Sequence, residues 1–342
     1  MAECLAFVSQ KMSRVRWQPV TSSLQKPDTF VSGSYDDTVN NISVWGVGHM
    51  TRTSNQQADN YMDDIESSQP KKLLECQTKG SVAGMEYVDQ KSVAVGLSSG
   101  TVSLFKYNVE MQSLAMQQMW PTLHSLSGVT DVAAKNPDLV SVGEDGTINM
   151  MRVDCKQPLR CMVGVDSSPI TSVHMVTSTE VCTTNMAGQL RMYDARSPSD
   201  SPSRIMISSE TLVGLCSVDH HPTQGHILAT GGADGCVVLF DARKECTPVS
   251  KLQIHEQDVW ELRFHKTSPE HLFTCSQDGT VRRLDTTFDT KTLSSELSGT
   301  SPIEVSELLP ECGTSINSLD PSGNLLLCSS DAEAIYIIDN AV

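Results

Sequence analysis

The chain has 342 residues, a formal net charge of −16 at neutral pH and a pI near 4.9. A surface this acidic repels phosphate groups, which argues against direct nucleic-acid binding and against binding to anionic membranes. No apolar run reaches the length of a membrane span, so we also expect no membrane insertion. The basic residues Lys11, Arg14 and Arg16 interrupt the acidic composition, and we expect them to form a solvated rim.

The 11 cysteines are an odd number and are scattered along the chain, without any Cys-x-x-Cys pair. This pattern does not support a zinc knuckle or a redox pair. Reduced thiols that pack as small apolar residues are the favoured interpretation, which indicates the cell interior. The sequence predicts no cofactor.

Seven short segments predict the first strands of a repeated unit, and a hairpin follows each of them. The first strands fall at residues 15–17, 82–85, 129–132, 170–173, 215–218, 259–262 and 316–319. In each hairpin an apolar run reaches a tight turn, and a second alternating run follows it. The turn positions are Gly100, Gly146, Gly188, Gly235, Gly279 and Ala332, with a less regular first copy around Asp36 and Asp37.

The spacing and the ending of the repeat indicate the kind of fold. Successive turns lie from 42 residues apart (Gly146 to Gly188) to 53 residues apart (Gly279 to Ala332). A large residue stands five positions after each turn, and Trp45 holds that place in the first copy. In three copies an aspartate follows this residue: Asp194, Asp241 and Asp285. This ending resembles the Trp-Asp dipeptide of WD40 β-propeller blades.

A fourth, outer strand follows most hairpins, for example at residues 159–163 and 249–254, but the seventh copy has none of its own. The segment 4–9, which precedes the first copy, has no other assignment. If this segment is the outer strand of the last blade, the ring closes and two exposed sheet edges disappear. We therefore predict an all-β, seven-bladed WD40 β-propeller in which residues 1–342 form one domain and the N-terminal strand pairs in the last blade.

Two segments fall outside the blade pattern, at about residues 47–71 and 288–304, and each is predicted to be an insertion after the third strand of a blade. A surface loop is the simpler interpretation of both. The first insertion also carries a small apolar set among carboxylates, which makes it a candidate partner-binding segment. Its members are Tyr61, Met62, Asp63, Asp64 and Ile65.

The turn aspartates are candidates for polar networks inside the blades. In the sixth copy His255 precedes the first strand and Asp278 lies in the hairpin turn, with Thr274 or Ser276 as the middle member. A buried network that satisfies its own members stabilises a blade, so we assign these residues a structural role. The same turn position is held in two other copies by Asp145 and Asp234.

The residues His220, His221 and His226 look at first like a metal cluster. A His-Pro turn after the first strand is common in such repeats, and His265 takes the equivalent place in the next copy. We therefore favour a structural role and predict no metal site. The chain also has no Gly-x-Ser-x-Gly elbow and no phosphate-binding glycine loop, so the sequence predicts no enzyme.

Two short boxes, Tyr193-Asp-Ala-Arg196 and Phe240-Asp-Ala-Arg243, have two interpretations. They resemble the Trp-Asp-x-Arg box of the substrate receptors of cullin-4 ubiquitin ligases, in which the arginine contacts an adaptor. Arg196 and Arg243 would then be adaptor-binding residues. An Asp–Arg pair at the rim of a blade is the simpler interpretation and the one that we favour.

One resemblance extends over nearly the whole chain. The strings Phe30-Val-Ser-Gly-Ser34, Ile42-Ser-Val-Trp45, Pro269-Glu-His-Leu-Phe-Thr-Cys-Ser276 and Asp331-Ala-Glu-Ala-Ile-Tyr336 are similar to segments of the small WD-repeat nucleoporins of the Y-shaped outer-ring complex. The last string is the most specific of the four, because it replaces the usual Asp-Gly turn of a blade.

This resemblance implies a non-enzymatic structural subunit of the nuclear pore complex at the nuclear envelope, which supports pore assembly and transport and acts at kinetochores in mitosis. It also implies docking on α-solenoid nucleoporins, beside the other WD-repeat subunits of the Y complex, as a monomer within a hetero-oligomer. A substrate receptor of a cullin-4 ubiquitin ligase is the alternative that the two arginine boxes leave open.

Overall fold

Seven antiparallel four-stranded sheets are present in the described part of the chain, which confirms the predicted number of blades. The computed structural model describes residues 2–21, 25–48, 69–108, 111–124, 127–208, 212–244, 247–285 and 303–342. The strands of the N-terminal half are β1 Ala2–Phe7, β2 Met12–Trp17, β3 Thr29–Ser34, β4 Asn41–Gly46, β5 Lys71–Gln77, β6 Val82–Tyr87, β7 Ser92–Leu97, β8 Val102–Asn108, β9 Ser113–Trp120, β10 Val129–Lys135, β11 Asp138–Gly143, β12 Ile148–Arg152 and β13 Arg160–Met162.

The remaining strands continue the same order. They are β14 Ile170–Met175, β15 Glu180–Asn185, β16 Gln189–Asp194, β17 Arg204–Ile207, β18 Leu215–His220, β19 Ile227–Gly232, β20 Cys236–Asp241, β21 Ser250–Gln253, β22 Val259–Phe264, β23 His271–Ser276, β24 Val281–Asp285, β25 Glu304–Leu309, β26 Ile316–Ser322, β27 Leu325–Ser330 and β28 Ala334–Asp339. No helix of the described residues is long and apolar enough to cross a membrane.

Six of the sheets consist of four consecutive strands, from β2-β3-β4-β5 to β22-β23-β24-β25. The seventh has the order β26-β27-β28-β1, so its outermost strand comes from the other end of the chain. In the β1–β28 pair Leu5 lies opposite Tyr336 and Phe7 lies opposite Ala334. The backbone amide of Val8 extends this contact by donating to the carbonyl of Glu333 at 2.8 Å.

The hairpins between second and third strands contain a residue in the left-handed region of φ. The predicted glycines supply this conformation with φ between 68° and 80° at Gly100, Gly146, Gly188, Gly235 and Gly279. At Gly146 a Cβ atom would also collide with the backbone carbonyl of Asp166. Glycine is therefore required at this turn for two separate reasons.

The seventh hairpin differs from the prediction. Glu333, with φ 56°, is the left-handed residue there, and Ala332 is not. The paired residues Ser330 and Ala334 enclose residues 331–333, whereas the hairpin of the third sheet encloses residues 143–147. Both hairpins are nevertheless centred on the residue before the left-handed one, Ala332 here and Asp145 in the third sheet. Glu333 is therefore the equivalent of Gly146, and the predicted turn position was one residue too early.

The hydrophobic core consists of layers between neighbouring sheets. Each of seven buried clusters in the described residues joins two sheets, and one of them joins the seventh sheet to the first. In that cluster Trp17, Phe30 and Trp45 pack with Leu327 and Ile337. Since central strands are covered on both faces, they read as continuous apolar runs and not as alternating ones, as in Ile227–Gly232, where every residue is buried.

The outer strands after the two predicted insertions begin slightly earlier than the sequence indicated. Lys71 is the first residue of β5 and Glu304 the first of β25, where they pair with Gly46 and Asp285 respectively. The insertion boundaries were based on polar composition, but these polar residues already form backbone pairs with the neighbouring strand. Residues 49–68 and 286–302 lie outside the described residues, and with them the candidate partner-binding set Tyr61, Met62, Asp63, Asp64 and Ile65.

Candidate functional site

A cavity of about 290 Å³ is lined by one edge strand of each of the seven sheets. We call these strands, β2, β6, β10, β14, β18, β22 and β26, the inner strands. The fifth residue of each inner strand faces this cavity, which we call the central channel. Because the seven sheets repeat one geometry, equivalent positions meet at one level of the channel and form a ring of mostly charged groups. Its members, in chain order, are Arg16, Glu86, Ala133, His174, Asp219, Arg263 and Asp320.

Two arginines cross-link this ring. Arg16 is 3% exposed and forms ion pairs with Glu86 at 3.1 Å and with Glu261 at 2.6 Å. Arg263 pairs with Glu86 on a non-neighbouring sheet, with Glu261 at 3.2 Å and with Asp320 at 3.4 Å. The charges of the channel therefore compensate each other within the protein.

Burial disfavours the charged form of the Glu86 and Glu261 carboxylates, but the neighbouring arginines stabilise that form more strongly. Burial alone would raise the pKa of Glu261, yet Arg16 and Arg263 hold that pKa at about 2. The same two arginines depress the pKa of Glu86 well below its usual range, against the effect of its own burial. Both carboxylates are thus ionised at any physiological pH.

The acidic side chains also join neighbouring inner strands through backbone amides. Asp131 accepts a bond from the amide of Val173 at 3.0 Å, and Asp219 accepts one from Phe264 at 2.8 Å. Two further contacts of this type run from the amide of Leu319 to Glu261 at 3.0 Å and from the amide of Trp17 to Asp320 at 2.7 Å. The last bond joins the seventh sheet to the first.

The expectation of a solvated basic rim is wrong for Arg14 and Arg16, which both line the central channel. Lys11 does lie at the surface, where it pairs with Asp36 at 3.1 Å. Arg16 instead points into the channel, because it holds the fifth position of β2 and β2 is an inner strand. A basic residue in a short strand gives no sign in the sequence of whether it faces solvent or a channel.

The sixth blade contains the three-member network that the sequence suggested. Nδ1 of His255 lies 3.0 Å from the Asp278 carboxylate, and Nε2 lies 2.8 Å from the Thr274 hydroxyl. A carboxylate only accepts, so Nδ1 carries the hydrogen and Nε2 accepts from Thr274. Ser276 has a different role, because its hydroxyl donates to the Gln257 carbonyl at 3.2 Å and accepts from the Asp278 amide at 3.1 Å.

The third blade repeats this network with a histidine that the sequence reasoning missed. His124 lies 3.1 Å from Asp145 and 3.0 Å from the hydroxyl of Ser141. Its signal in the sequence is position, since it precedes Asp145 by 21 residues and His255 precedes Asp278 by 23. Asp234 has a different partner, the ammonium group of Lys251 at 2.7 Å.

These buried histidines predict a pH dependence of stability. Burial lowers the pKa of His255 to about 4, although Asp278 opposes the shift. The unfolded chain, with a histidine pKa near ~6.5, then binds the proton more readily than the folded chain. Stability should fall as the pH drops from about 6.5 towards about 4, by up to about 1.4 kcal/mol per pH unit for this group.

Urea unfolding of the parent and of His255→Gln across pH 7 to pH 4 checks this expectation. The variant should be less stable at pH 7 by about 1–3 kcal/mol, because Asp278 and Thr274 lose a partner. Its stability should also fall less steeply with acid, since one of the depressed histidines is gone. Equal slopes for the two proteins would contradict a buried neutral His255.

The histidines at the end of an inner strand, or directly after it, have two different roles. Nδ1 of His221 accepts the amide of Gln224 at 3.0 Å, and Nδ1 of His265 accepts the amide of Ser268 at 2.8 Å, so both stabilise equivalent turns. His220 instead faces the central channel, where its Nδ1 lies 2.6 Å from Nε2 of His174. Burial, together with His174, lowers the pKa of His220 to about 4.

Trp45 lies at the end of the third strand in the first blade. Its indole Nε1 donates to the Ser32 hydroxyl at 2.8 Å, and its ring stacks on Phe30 with centroids 6.1 Å apart. Lys72 lies on the outer strand β5, and its ammonium group is 5.7 Å from the centroid of the Trp45 ring. Trp45 thus joins the second, third and outer strands of its blade.

The two candidate adaptor-binding arginines have the same local geometry. Arg196 forms two hydrogen bonds to Asp194 at 3.0 and 2.9 Å, and Arg243 forms the same two bonds to Asp241. Both arginine side chains are mostly exposed, at 69% and 59%. Each guanidinium is therefore held by its own blade while it remains accessible at the rim.

The fold and its motifs define the class of this protein. Residues 208–241 and 246–283 match the family model described as "WD domain, G-beta repeat". Together with the seven sheets and their degenerate Trp-Asp endings, this match makes the chain a WD40-repeat β-propeller.

Full-length relatives narrow the class to a family. The chain is 36% identical to "Nucleoporin Nup43" of Homo sapiens, over 97% of either chain, and 35% identical to the protein of that name from Mus musculus over the same shares. It is 29% identical to "Nuclear pore complex protein nup43" of Dictyostelium discoideum over 60% of this chain and 52% of the relative. The chain belongs to the Nup43 family of nucleoporins.

Proposed function

We propose that this protein is a non-enzymatic structural subunit of the nuclear pore complex, in its Y-shaped outer-ring subcomplex. The observation that carries the proposal is the 36% identity over 97% of the chain to a protein named nucleoporin Nup43. In this role the propeller docks on an α-solenoid nucleoporin beside other WD-repeat subunits, and it acts at kinetochores in mitosis.

The geometry of the polar groups supports a scaffold. The His255 network superficially resembles a catalytic triad, but His255 and Thr274 are 1% and 0% exposed, so a substrate could not reach them. In the central channel Arg16 and Arg263 are each held by at least two carboxylates. Groups that are fixed in this way stabilise a rigid ring, and a rigid ring presents fixed surfaces to partners.

Imaging of a fluorescent fusion at its native expression level tests the proposal. We expect a continuous nuclear rim in interphase cells. The double variant Arg196→Ala, Arg243→Ala should give the same rim, because each arginine pairs with an aspartate of its own blade. The same variant tests the ligase-receptor alternative, which the relatives do not favour.

Two outcomes would contradict the proposal. A diffuse signal for the parent protein would exclude stable incorporation into the pore. Recovery of the cullin-4 adaptor with the parent, and its loss with the double arginine variant, would favour the ligase receptor. A matched variant, Arg152→Ala, removes another exposed arginine and should behave as the parent in both assays.

A further inference from the structure

Two histidines and one aspartate converge at one side of the central channel. His174 is the fifth residue of β14, and Asp219 and His220 are the last two residues of β18. One ligand atom from each of the three side chains lies within 4.8 Å of the other two. Nδ1 of His174 is 3.3 Å from Oδ1 of Asp219, and Nδ1 of His220 is 3.9 Å from the same oxygen.

The separations are close to those of a tetrahedral zinc site. Bonds of about 2.0–2.1 Å in a tetrahedron separate neighbouring ligand atoms by about 3.3 Å. The distance from His174 to Asp219 already has this value, and the one from His220 to Asp219 needs a small rotation of one ring. Imidazole nitrogens with a carboxylate oxygen are a donor set that suits Zn²⁺ better than Ca²⁺ or Mg²⁺.

The surroundings orient the donors and leave an open position. Asp219 is held by the amides of His220 and Phe264, both at 2.8 Å, which fixes the direction of its carboxylate. All three side chains line the cavity of about 290 Å³, so an ion can enter and a water molecule can complete the coordination. Metal ligands that are oriented by hydrogen bonds of this kind bind more tightly.

The contact between the imidazoles is the interaction that metal binding would change. The 2.6 Å between Nε2 of His174 and Nδ1 of His220 is short for a hydrogen bond between two nitrogens. A Zn²⁺ ion bound to Nδ1 of His220 would replace this hydrogen bond, so the two rings must move apart when the ion binds. The same short contact without a metal is a hydrogen bond between two neutral rings, which is the alternative that the test must distinguish.

We propose that one ring nitrogen from each of His174 and His220, together with a carboxylate oxygen of Asp219, binds a Zn²⁺ ion at the edge of the central channel. This revises the expectation from the sequence, which grouped His220 with His221 and His226. His174 and Asp219 lie on different sheets and are 45 residues apart in the sequence. The repeated geometry of the blades brings them together, so a search for closely spaced ligands does not find this pair.

Isothermal titration of the chelator-treated full-length protein with ZnCl₂ tests the site. We expect one tight equivalent in the parent and in His226→Ala, a control that removes a nearby histidine outside the donor set. His174→Gln, Asp219→Asn and His220→Gln should each weaken this binding by about 100-fold, as loss of a ligand or its support does elsewhere. The exposed thiol of Cys161 is present in every variant, so zinc bound there would not change.

A charge variant and a spectroscopic probe separate zinc binding from a merely structural role. Lys135 lies at the same edge of the channel, where its ammonium group donates to the carbonyl of Val176 at 2.8 Å. Lys135→Met removes a cation near the site and should tighten zinc binding, whereas a hydrogen bond between two rings predicts no effect. Titration with Co²⁺ should give the visible absorption of a tetrahedral nitrogen–oxygen site.

Two results of the titration would contradict the zinc site. If the parent binds no zinc with a defined stoichiometry, or if His174→Gln and His220→Gln bind as tightly as His226→Ala, the two rings share only a hydrogen bond. Circular dichroism of each variant verifies folding. If a histidine variant unfolds, the parent titration and Lys135→Met still decide the question.

Discussion

Replacing Arg16 with methionine is expected to lower the free energy of unfolding by about 3–5 kcal/mol, the usual cost of breaking a buried ion-pair network from one side. Arg16 is buried and pairs with Glu86 at 3.1 Å and with Glu261 at 2.6 Å. It also donates to the Ser318 hydroxyl at 3.0 Å and to its neighbour's carbonyl at 2.7 Å. Methionine fills a similar volume but leaves two buried carboxylates with one cation fewer.

Urea unfolding at pH 7 measures this effect, and Arg196→Met is its matched control. Arg196 also pairs with a carboxylate, but its side chain is exposed, so solvent screens the pair and the unfolding midpoint should not change. An Arg16→Met midpoint equal to that of the control would show that the channel network does not stabilise the ring.

Replacing Val8 with aspartate should destabilise the protein by about 3 kcal/mol or more, whereas Phe7→Asp should have little effect. Phe7 is the last residue of β1, and Val8 directly follows it. Val8 is 8% exposed and packs with Met12 and Trp17 in the layer between the seventh and first sheets, while Phe7 is 73% exposed. A charge at position 8 enters this layer, and a charge at position 7 stays in water.

Thermal unfolding of the two variants compares the two faces of the same short segment. A lower melting temperature for Val8→Asp with no change for Phe7→Asp is the expected result. Equal melting temperatures for both variants and the parent would mean that the first residues of the chain are not packed against the last sheet. The reverse order would mean that the register of β1 is shifted by one residue.

The repeated part of the fold could be predicted from the sequence because its signals are local. A turn glycine such as Gly146 must adopt a positive φ in a short hairpin, and this requirement recurs with each blade. Each turn is accompanied by apolar strand segments, and counting these repeats predicts the number of sheets. Where one copy has no turn glycine, the prediction of Ala332 was wrong by one residue, because the strand pairing places Glu333 at the position that Gly146 holds in the third sheet.

The central channel could not be predicted, because its contacts join residues from distant repeats. Arg16 and Glu261 are 245 positions apart, and nothing near Arg16 in the sequence distinguishes a channel residue from a solvated one. His124 was missed for a related reason. It precedes Asp145 by 21 residues, whereas His255 precedes Asp278 by 23, and the residues around the two histidines also differ.

Affinity purification from native cells, with quantitative mass spectrometry, tests the central claim of a structural nucleoporin most directly. We expect the subunits of the Y-shaped outer-ring complex to be recovered at one-to-one stoichiometry and to remain bound in high salt. Recovery of the cullin-4 adaptor and its ligase in place of pore components would contradict the proposed function.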